Sequence, residues 1–184
     1  MLLLAGAFLA LASCSPKTGT FPKDKTTFQT SRAWNEYIDN RADAVMVYGV
    51  GGNPSDRDGR SVSLEGRLAS WKERGYVTEF MTGIAWGEYQ DYFTGEWDGK
   101  WHLDEGQVQM NGDTIWHGRM VPYIVPTENY LSYFKERHIK RVIDAGVDAI
   151  FLEEPEFWAR SGYSDAFKRE WKDYYGTSIQ KRLR

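Results

Sequence analysis

An apolar strand, an amphipathic helix and a second apolar strand follow one another in the first half of the chain, and few folds allow this order. The strands are predicted at 41–48 and 76–84, which contain the β-branched and aromatic residues that strands favour. The helix between them is predicted from apolar residues that recur three or four positions apart: Leu64, Leu68 and Trp71. A strand–helix–strand unit of this length joins parallel neighbours, so the sequence predicts an α/β fold with a parallel sheet.

The second half of the chain continues the alternation of strands and helices. A short third strand is predicted at 120–125 and a fourth at 147–152, and helices with continuous apolar stripes are predicted at 127–145 and 164–175. Residues 86–118, which follow the second strand, are rich in tryptophan and glycine and are predicted to form a long loop with a small hairpin. Loops of this length inside a compact domain usually serve a function.

The number of strands and the length of the chain point to part of a barrel. A (β/α)8 barrel needs ~250 residues, and residues 31–184 supply about half of that length with about four strands. We interpret this region as the N-terminal half of a (β/α)8 (TIM) barrel catalytic domain, with a long Trp-rich loop after strand two. A small open parallel α/β sheet is the alternative architecture, because four strands can also form such a sheet.

The N-terminal residues are typical of an export signal. The run MLLLAGAFLALAS is apolar or small throughout and is shorter than the ~20 residues that span a bilayer. It leads into Leu11-Ala-Ser-Cys14, which resembles the lipobox of bacterial lipoproteins. The resemblance implies a signal peptide over 1–14, lipid modification of Cys14, and a chain that is exported and lipid-anchored to the membrane of the bacterial cell envelope, on its periplasmic or cell-surface side. Residues 15–30 lack periodicity and are predicted to be a flexible tether.

The charge pattern gives no reason to expect a nucleic-acid partner, whereas the aromatic content favours a sugar. The net charge is −3 and the two signs are interspersed, without a basic stripe. Eight Trp and eleven Tyr exceed what a core of this size needs. A tryptophan ring presents a flat apolar face that suits a sugar-binding surface as well as a core. Substrate contacts are therefore predicted from four residues: Tyr48, Trp86, Trp97 and Trp101.

No motif for a metal or an organic cofactor stands out, and none is expected. Glycines at 49–52 follow a strand, but Pro54 stands where the dinucleotide fingerprint needs its third glycine. The histidines His102 and His117 lack the fixed ligand spacing of strong metal motifs. His138 lies on an apolar helical stripe, which is typical of a packed histidine.

Three carboxylates stand at the end of the fourth predicted strand: Glu153, Glu154 and Glu156. Active sites of barrels and open α/β sheets form at the carboxyl ends of strands. Mutual repulsion and partial burial raise the pKa of clustered carboxyl groups, as a general acid near neutral pH requires. The alternative interpretation is that these acids only end the strand.

The segment Leu152-Glu-Glu-Pro155 resembles the Asn-Glu-Pro motif that carries the acid/base glutamate after strand four in retaining glycoside hydrolases of the (β/α)8 type. The resemblance places the acid/base at Glu154 and puts Glu153 where the family has asparagine. Glu153 and Glu156 would assist through their charge or by contacting the substrate. The longer run EEPEFW, followed by an aromatic helix, is similar to glycoside-hydrolase-like barrels of bacterial lipoproteins.

The resemblance implies a glycosidase that acts on an oligo- or polysaccharide. Such enzymes need a second carboxylate across the scissile bond, which the family supplies from strand seven, so this chain is expected to be incomplete and inactive alone. Two alternatives belong to other classes: a non-catalytic carbohydrate-binding lipoprotein, and an α/β domain whose acids bind a cation.

Overall fold

A computed structural model describes residues 26–51, 53–54 and 61–179. The predicted signal peptide, Cys14 and most of the predicted tether lie outside the described residues. Within the described ranges, no helix is long and apolar enough to cross a membrane.

The described elements alternate between strands and helices. The strands are, in chain order, β1 (Thr27–Thr30), β2 (Ala44–Tyr48), β3 (Asn53–Pro54), β4 (Ser61–Val62), β5 (Val77–Gly83), β6 (Trp116–Gly118), β7 (Val121–Pro122) and β8 (Ala149–Glu153). The α-helices are α1 (Leu64–Lys72), α2 (Gln90–Phe93), α3 (Glu128–Phe134), α4 (Arg141–Asp144) and α5 (Asp165–Tyr175). A 3-10 helix covers Leu103–Glu105, and a π-helical stretch, Lys135–Lys140, joins α3 to α4.

The main sheet has four strands in the order β1-β2-β5-β8, and every neighbouring pair is parallel. The strands therefore lie side by side in the order in which the chain makes them. Two small antiparallel pairs, β3 with β4 and β6 with β7, stand apart from it. The predicted α/β class with about four parallel strands is confirmed.

The two faces of this sheet differ in what they carry. Alternate residues of β2, β5 and β8 form one face and pack against α1 and α4 in a shared apolar cluster that includes Val45, Val47, Leu64, Leu68, Trp71, Phe80, Val142 and Ile150. The register pairs Met46 with Glu79 and Tyr48 with Met81, and these residues belong to the opposite face together with Phe151 and Glu153. The two crossover helices thus lie on the same face of the sheet.

The helices begin and end where their sequences predict. The hydroxyl groups of Ser63, Thr127 and Ser164 each accept a hydrogen bond from a main-chain N–H group in the first turn of the helix that follows. At the other end of α5, Gly176 adopts a left-handed conformation with φ 68°. The ammonium group of Lys72 caps the end of α4, donating to the carbonyl of Ala145 at 2.9 Å. The predicted helices after Ser63, at 127–145 and at 164–175 are confirmed.

The segment between β5 and α3 has a core of its own, so it is not an open loop. Its aromatic and aliphatic side chains pack against α3 in a cluster that contains Tyr89, Tyr92, Phe93, Val121, Ile124, Tyr130, Tyr133 and Phe134. The carboxylate of Glu105, which is buried, accepts hydrogen bonds from Tyr92, Thr127 and Asn129 and so ties this segment to the start of α3. The predicted hairpin is present as the bridge between Val108 and Thr114.

Two predictions about strands are wrong. The predicted third strand at 120–125 does not enter the parallel sheet, because Val121–Pro122 pairs antiparallel with β6 and the N–H of Ile124 donates to Ala85. β5 pairs directly with β8, and the remaining strand of the sheet is Thr27–Thr30, which pairs with β2 and which the sequence analysis assigned to the tether. This strand has only four residues with no apolar run, and its pairing with β2 is what orders it. Residues 149–153 are nevertheless the fourth strand of the sheet.

His138 lies where the helix after Thr127 meets the sheet. Its imidazole is fully buried, its Nδ1 lies 3.2 Å from the hydroxyl of Thr82, and its ring stacks on Phe134 with 5.0 Å between centroids. Its Nε2 has no hydrogen-bond partner among the described residues. Burial, and secondly the positive charge of Arg141, lower the pKa of His138 to about 3.

We expect His138 to make the fold sensitive to mild acid. Because its pKa falls from 6.5 to about 3 on folding, the unfolded chain binds the proton first, and stability present above pH 6.5 is lost as the pH falls toward 3. The contribution of His138 to the slope should approach about 1.4 kcal/mol per pH unit between pH 6 and pH 5. Denaturant unfolding at pH 7, 6 and 5 measures it. His138→Gln should reduce the slope, and His117→Gln, which changes an exposed histidine, should not. Equal slopes in the parent and His138→Gln would show that His138 is not the titrating group.

Candidate functional site

All four strands of the sheet end at one cavity of about 380 Å³. Its lining comes from the carboxyl ends of β1, β2, β5 and β8 and from the segment after β5, and includes Gln29, Tyr48, Met81, Trp86, Glu88 and Glu153. Parallel α/β sheets bind their ligands at this end, the carboxyl ends of their strands. The cavity therefore lies where the sequence analysis expected a site.

The guanidinium of Arg67 holds the strand ends that form one side of the cavity. Arg67 is fully buried and donates to the carbonyls of Ser31 at 2.9 Å, Tyr48 at 2.9 Å, Gly49 at 2.7 Å and Gly51 at 2.6 Å. Burial lowers its pKa. Because these contacts satisfy both terminal nitrogens, the arginine fixes main chain and is not directed at a ligand.

The segment after β5 contributes Trp86 and Glu88 through close approaches that only glycine permits. A Cβ atom on Gly83 would lie 2.4 Å from the carbonyl oxygen of Trp86, so a side chain there would push that loop away. On the other side, a Cβ atom on Gly51 would lie 2.8 Å from a carboxylate oxygen of Glu88. The Gly51 N–H donates to this carboxylate, which joins the loops after β2 and β5.

Glu153 is the acid of the predicted trio that lines the cavity. It is the last residue of β8 and pairs with Gly83, which has no side chain to occupy the space beside it. Burial, and secondly the negative charge of Glu154, raise the pKa of Glu153 above its usual range. A raised pKa keeps a carboxyl group protonated closer to neutral pH, as a general acid requires.

The other two predicted acids have different surroundings. Glu154 is exposed, is not among the lining residues and adopts a left-handed conformation with φ 49°, which ends the strand. Glu156 lies beyond it, next to Tyr123, whose pKa is raised by burial and by the charge of Glu156. Neither of these two acids lines the cavity.

A row of aromatic rings leads from the cavity across the loop after β8. The rings of Trp86 and His117 stack with 4.3 Å between centroids, His117 contacts Tyr123 at 5.6 Å, and Tyr123 contacts Trp158 at 5.5 Å. The side chain of Gln107, which is buried, fixes the far end of this row by donating to the carbonyl of Glu156 at 2.8 Å and accepting from the N–H of Trp158 at 3.1 Å.

Of the predicted sugar-contacting residues, the structure brings Tyr48 and Trp86 together in the cavity. Trp97 instead packs against Tyr92 and Tyr133 in the core of the segment between β5 and α3, which we call the inserted segment. Trp101 is 63% exposed and does not line the cavity.

The histidines that sequence spacing left unassigned are also far from forming a ligand set. His102 is buried, bonds to Asp98 at 3.1 Å and stacks on Tyr92, whereas His117 belongs to the aromatic row. Across the described residues, no group of three or more His, Cys, Asp and Glu side chains is placed to hold a metal ion.

Sequence reasoning missed Glu88, Arg67 and Gln107. Glu88 follows Gly87 in an irregular segment, and only the glycines at 83 and 87 hinted that main chain approaches closely there. Arg67 lies between two core residues of α1, and a charged residue on an apolar helical face was a signal that could have been noticed. Nothing in the sequence around Gln107 marks it.

Replacing Arg67 tests whether the cavity depends on it. Arg67→Lys keeps the charge, but a single ammonium nitrogen replaces the two terminal guanidinium nitrogens that donate to four carbonyl groups. Some of these partly buried carbonyl groups therefore lose their donor. We expect the free energy of unfolding to fall by about 2–4 kcal/mol and amide exchange in 49–51 to accelerate. Arg169→Lys, which changes an exposed arginine of α5, is the matched control and should alter neither quantity. Unchanged exchange in 49–51 would show that other contacts hold this loop.

Comparison with known proteins assigns no family to the chain. No family model, no curated protein and no solved structure matches it. What the molecule does is therefore inferred from its own residues.

Proposed function

We propose that the chain is a glycoside-hydrolase-like protein that acts on an oligo- or polysaccharide. The observation that carries this proposal is the composition of the cavity at the carboxyl ends of the strands. Two carboxylates, Glu88 and Glu153, line it together with the aromatic rings of Tyr48 and Trp86. Carboxylates supply the acid and base chemistry of glycoside hydrolysis, and aromatic faces accept the apolar faces of sugar rings.

The same proposal takes the sheet as half of a (β/α)8 barrel. Two features support a barrel over an open doubly wound sheet. Strand order follows chain order without the reversal that defines doubly wound sheets, and α1 and α4 pack on one face only. In a barrel the opposite face, with Met46, Glu79 and Met81, would be the interior.

A barrel has no sheet edges, whereas β1 and β8 are edges in the described part of the chain. Phe151 and Leu152 of β8 are 42% and 51% exposed, and a further strand would cover them. We therefore expect sugar binding at the cavity to be measurable on this chain, and turnover to require further strands that close the sheet.

Within the cavity, we assign the general acid to Glu153. Its raised pKa and its position in the lining favour it over Glu154, on which the family motif falls. Glu88 is the candidate second carboxylate, since it reaches the same cavity from the loop after β5. Glu154 would raise the pKa of the acid through its charge.

Export and lipid anchoring at Cys14 belong to the same proposal. The lipobox resemblance supports them, and a cell-envelope location gives access to polysaccharides outside the cell.

Sugar binding is tested by a pair of tryptophan variants. Trp86→Ala should weaken binding of a neutral pentasaccharide by about 1–3 kcal/mol, because it removes an aromatic wall of the cavity. Trp101→Ala makes the same change outside the cavity and should bind as the parent does. Isothermal titration calorimetry of the full chain measures both, and thermal unfolding checks that each variant is folded. If Trp101→Ala bound the pentasaccharide more weakly and Trp86→Ala did not, the sugar site would lie at the exposed part of the inserted segment.

The identity of the acid is tested by a second pair, in a form of the protein whose sheet is closed by further strands. Glu153→Gln should reduce kcat by about 10²–10⁴, the usual contribution of a general acid, whereas Glu154→Gln should reduce it far less. Steady-state hydrolysis of a reducing-end aryl glycoside measures both. A larger loss of kcat in Glu154→Gln than in Glu153→Gln would assign the general acid to Glu154. Saturable binding with no turnover in any form would identify a non-catalytic carbohydrate-binding protein that uses the same cavity.

A further inference from the structure

Among the described residues, the charged groups that line the cavity have one sign. Glu88 and Glu153 are the charged residues of the lining, and no lysine or arginine occurs among the lining residues. Glu154 and Glu156 follow Glu153 in the chain, and Glu79, whose side chain is buried, lies on the same face of the sheet as Glu153. A ligand in the cavity is therefore exposed to the charge of several carboxyl groups.

The buried cation beside the cavity, Arg67, interacts electrostatically with Glu88, but its terminal N–H groups are not directed at a ligand. The guanidinium of Arg67 lies behind the loop after β2 and donates through both terminal nitrogens to main-chain carbonyls. It has no free terminal N–H group directed at the cavity. The arginine is thus a structural group, unlike the exposed arginines that bind carboxylates and phosphates bidentately.

The loop after β2 gives a second, independent indication. Glycine-rich loops that follow a strand often bind anions through their main-chain N–H groups. Here the N–H of Gly51 donates to the carboxylate of Glu88, so an acid of the protein occupies the position that an anionic ligand would need. A Cβ atom on Gly51 would lie 2.8 Å from this carboxylate, so a side chain there would displace it from the loop.

We infer that the cavity selects glycans without acidic groups, and that Glu88 and Glu153 exclude sugars that carry a carboxylate. The inference rests on the proposed function and names the substrate class of the same cavity. A neutral hexose and its uronic acid differ at C6, where a hydroxymethyl group is replaced by a carboxylate. The neutral sugar can donate hydrogen bonds to Glu88 and Glu153, whereas the uronate brings a third anion that no cation in the lining pairs.

A bound acidic sugar would also affect proton transfer by Glu153, the proposed general acid. Burial and the charge of Glu154 already raise the pKa of Glu153. A bound uronate would raise it further, so the acid would keep its proton more strongly and transfer it less readily. Exclusion of acidic sugars therefore protects both affinity and the proton transfer.

Matched oligosaccharides test the inference on the full chain. The probes are neutral gluco-, manno- and galacto-pentasaccharides, each paired with its uronate counterpart, and calorimetry at ~20 mM salt measures their affinities. We expect the best neutral probe to bind at least about tenfold more tightly than its uronate. Near 1 M salt, where the screening length is ~3 Å, the difference should shrink.

Charge-neutral variants separate electrostatics from shape. Glu88→Gln keeps an oxygen that accepts from the Gly51 N–H, and Glu153→Gln keeps the size of the side chain. Each variant should reduce the difference in affinity between a neutral probe and its uronate severalfold. Glu73→Gln removes the same charge at the C-terminal end of α1, just before β5 begins and therefore at the other end of the strands. This variant should leave the difference in affinity as it is in the parent.

Each result decides a different point. Uronates that bind as tightly as neutral probes would overturn the inference and leave the proposed function standing. A difference that neither Glu88→Gln nor Glu153→Gln narrows would also overturn it, because the selection would then be steric. Binding of no probe of either kind would overturn the proposed function and the inference with it.

Discussion

The fork of hydrogen bonds made by Arg67 is the interaction on which the geometry of the cavity depends. The ends of two parallel strands and the loop after the second of them meet at its guanidinium, and this one side chain donates to four main-chain carbonyl groups. Burying a guanidinium is costly unless its N–H groups are paired, so the arginine and the loop stabilise each other. The position of this loop is therefore set by α1, which carries Arg67 between the apolar residues that pack on the sheet.

Strand geometry decides which of the neighbouring acids can reach a ligand. Side chains alternate between the two faces of a strand, so Glu153 and Glu154 cannot both point to the same side while the strand continues. Glu153 is paired with Gly83 and belongs to the face that carries Met81 and Phe151, whereas the positive φ of Glu154 turns the chain out of the sheet. The Asn-Glu-Pro resemblance falls on Glu154, one residue after Glu153, which lines the cavity. The sequence alone could not distinguish the two positions, because both are glutamate.

The helices and central strands could be predicted from the sequence because each carries its own local signal. Leu64, Leu68 and Trp71 are spaced for a helix, and the caps at Ser63, Thr127 and Ser164 were recognisable. The edge strand Thr27–Thr30 could not be found this way, since its order depends on pairing with a strand seventeen residues further on. The contacts of Glu88 with Gly51 and of Gln107 with the loop after β8 are likewise tertiary, and no local pattern encodes them. The position of the cavity was thus predictable from the strand ends, but most of its lining residues were not.

The two apolar clusters of the molecule meet at the helix that runs from α3 through the π-helical stretch to α4. Tyr130 and Phe134 of α3 belong to the cluster of the inserted segment, and Val142 of α4 belongs to the cluster under the sheet. His138, between them, contacts Thr82 of β5 on one side and Phe134 on the other. The extra residue of a π-helical turn changes which side chains face inward, so a single helix can present one face to each cluster. Because Trp86 and Glu88 stand at the start of the inserted segment while Glu153 ends a strand of the sheet, the relative position of the two carboxylates is determined by how this helix joins the clusters. The cavity is accordingly a property of the assembled fold, with one wall supported by the sheet and Arg67 and the other by the inserted core.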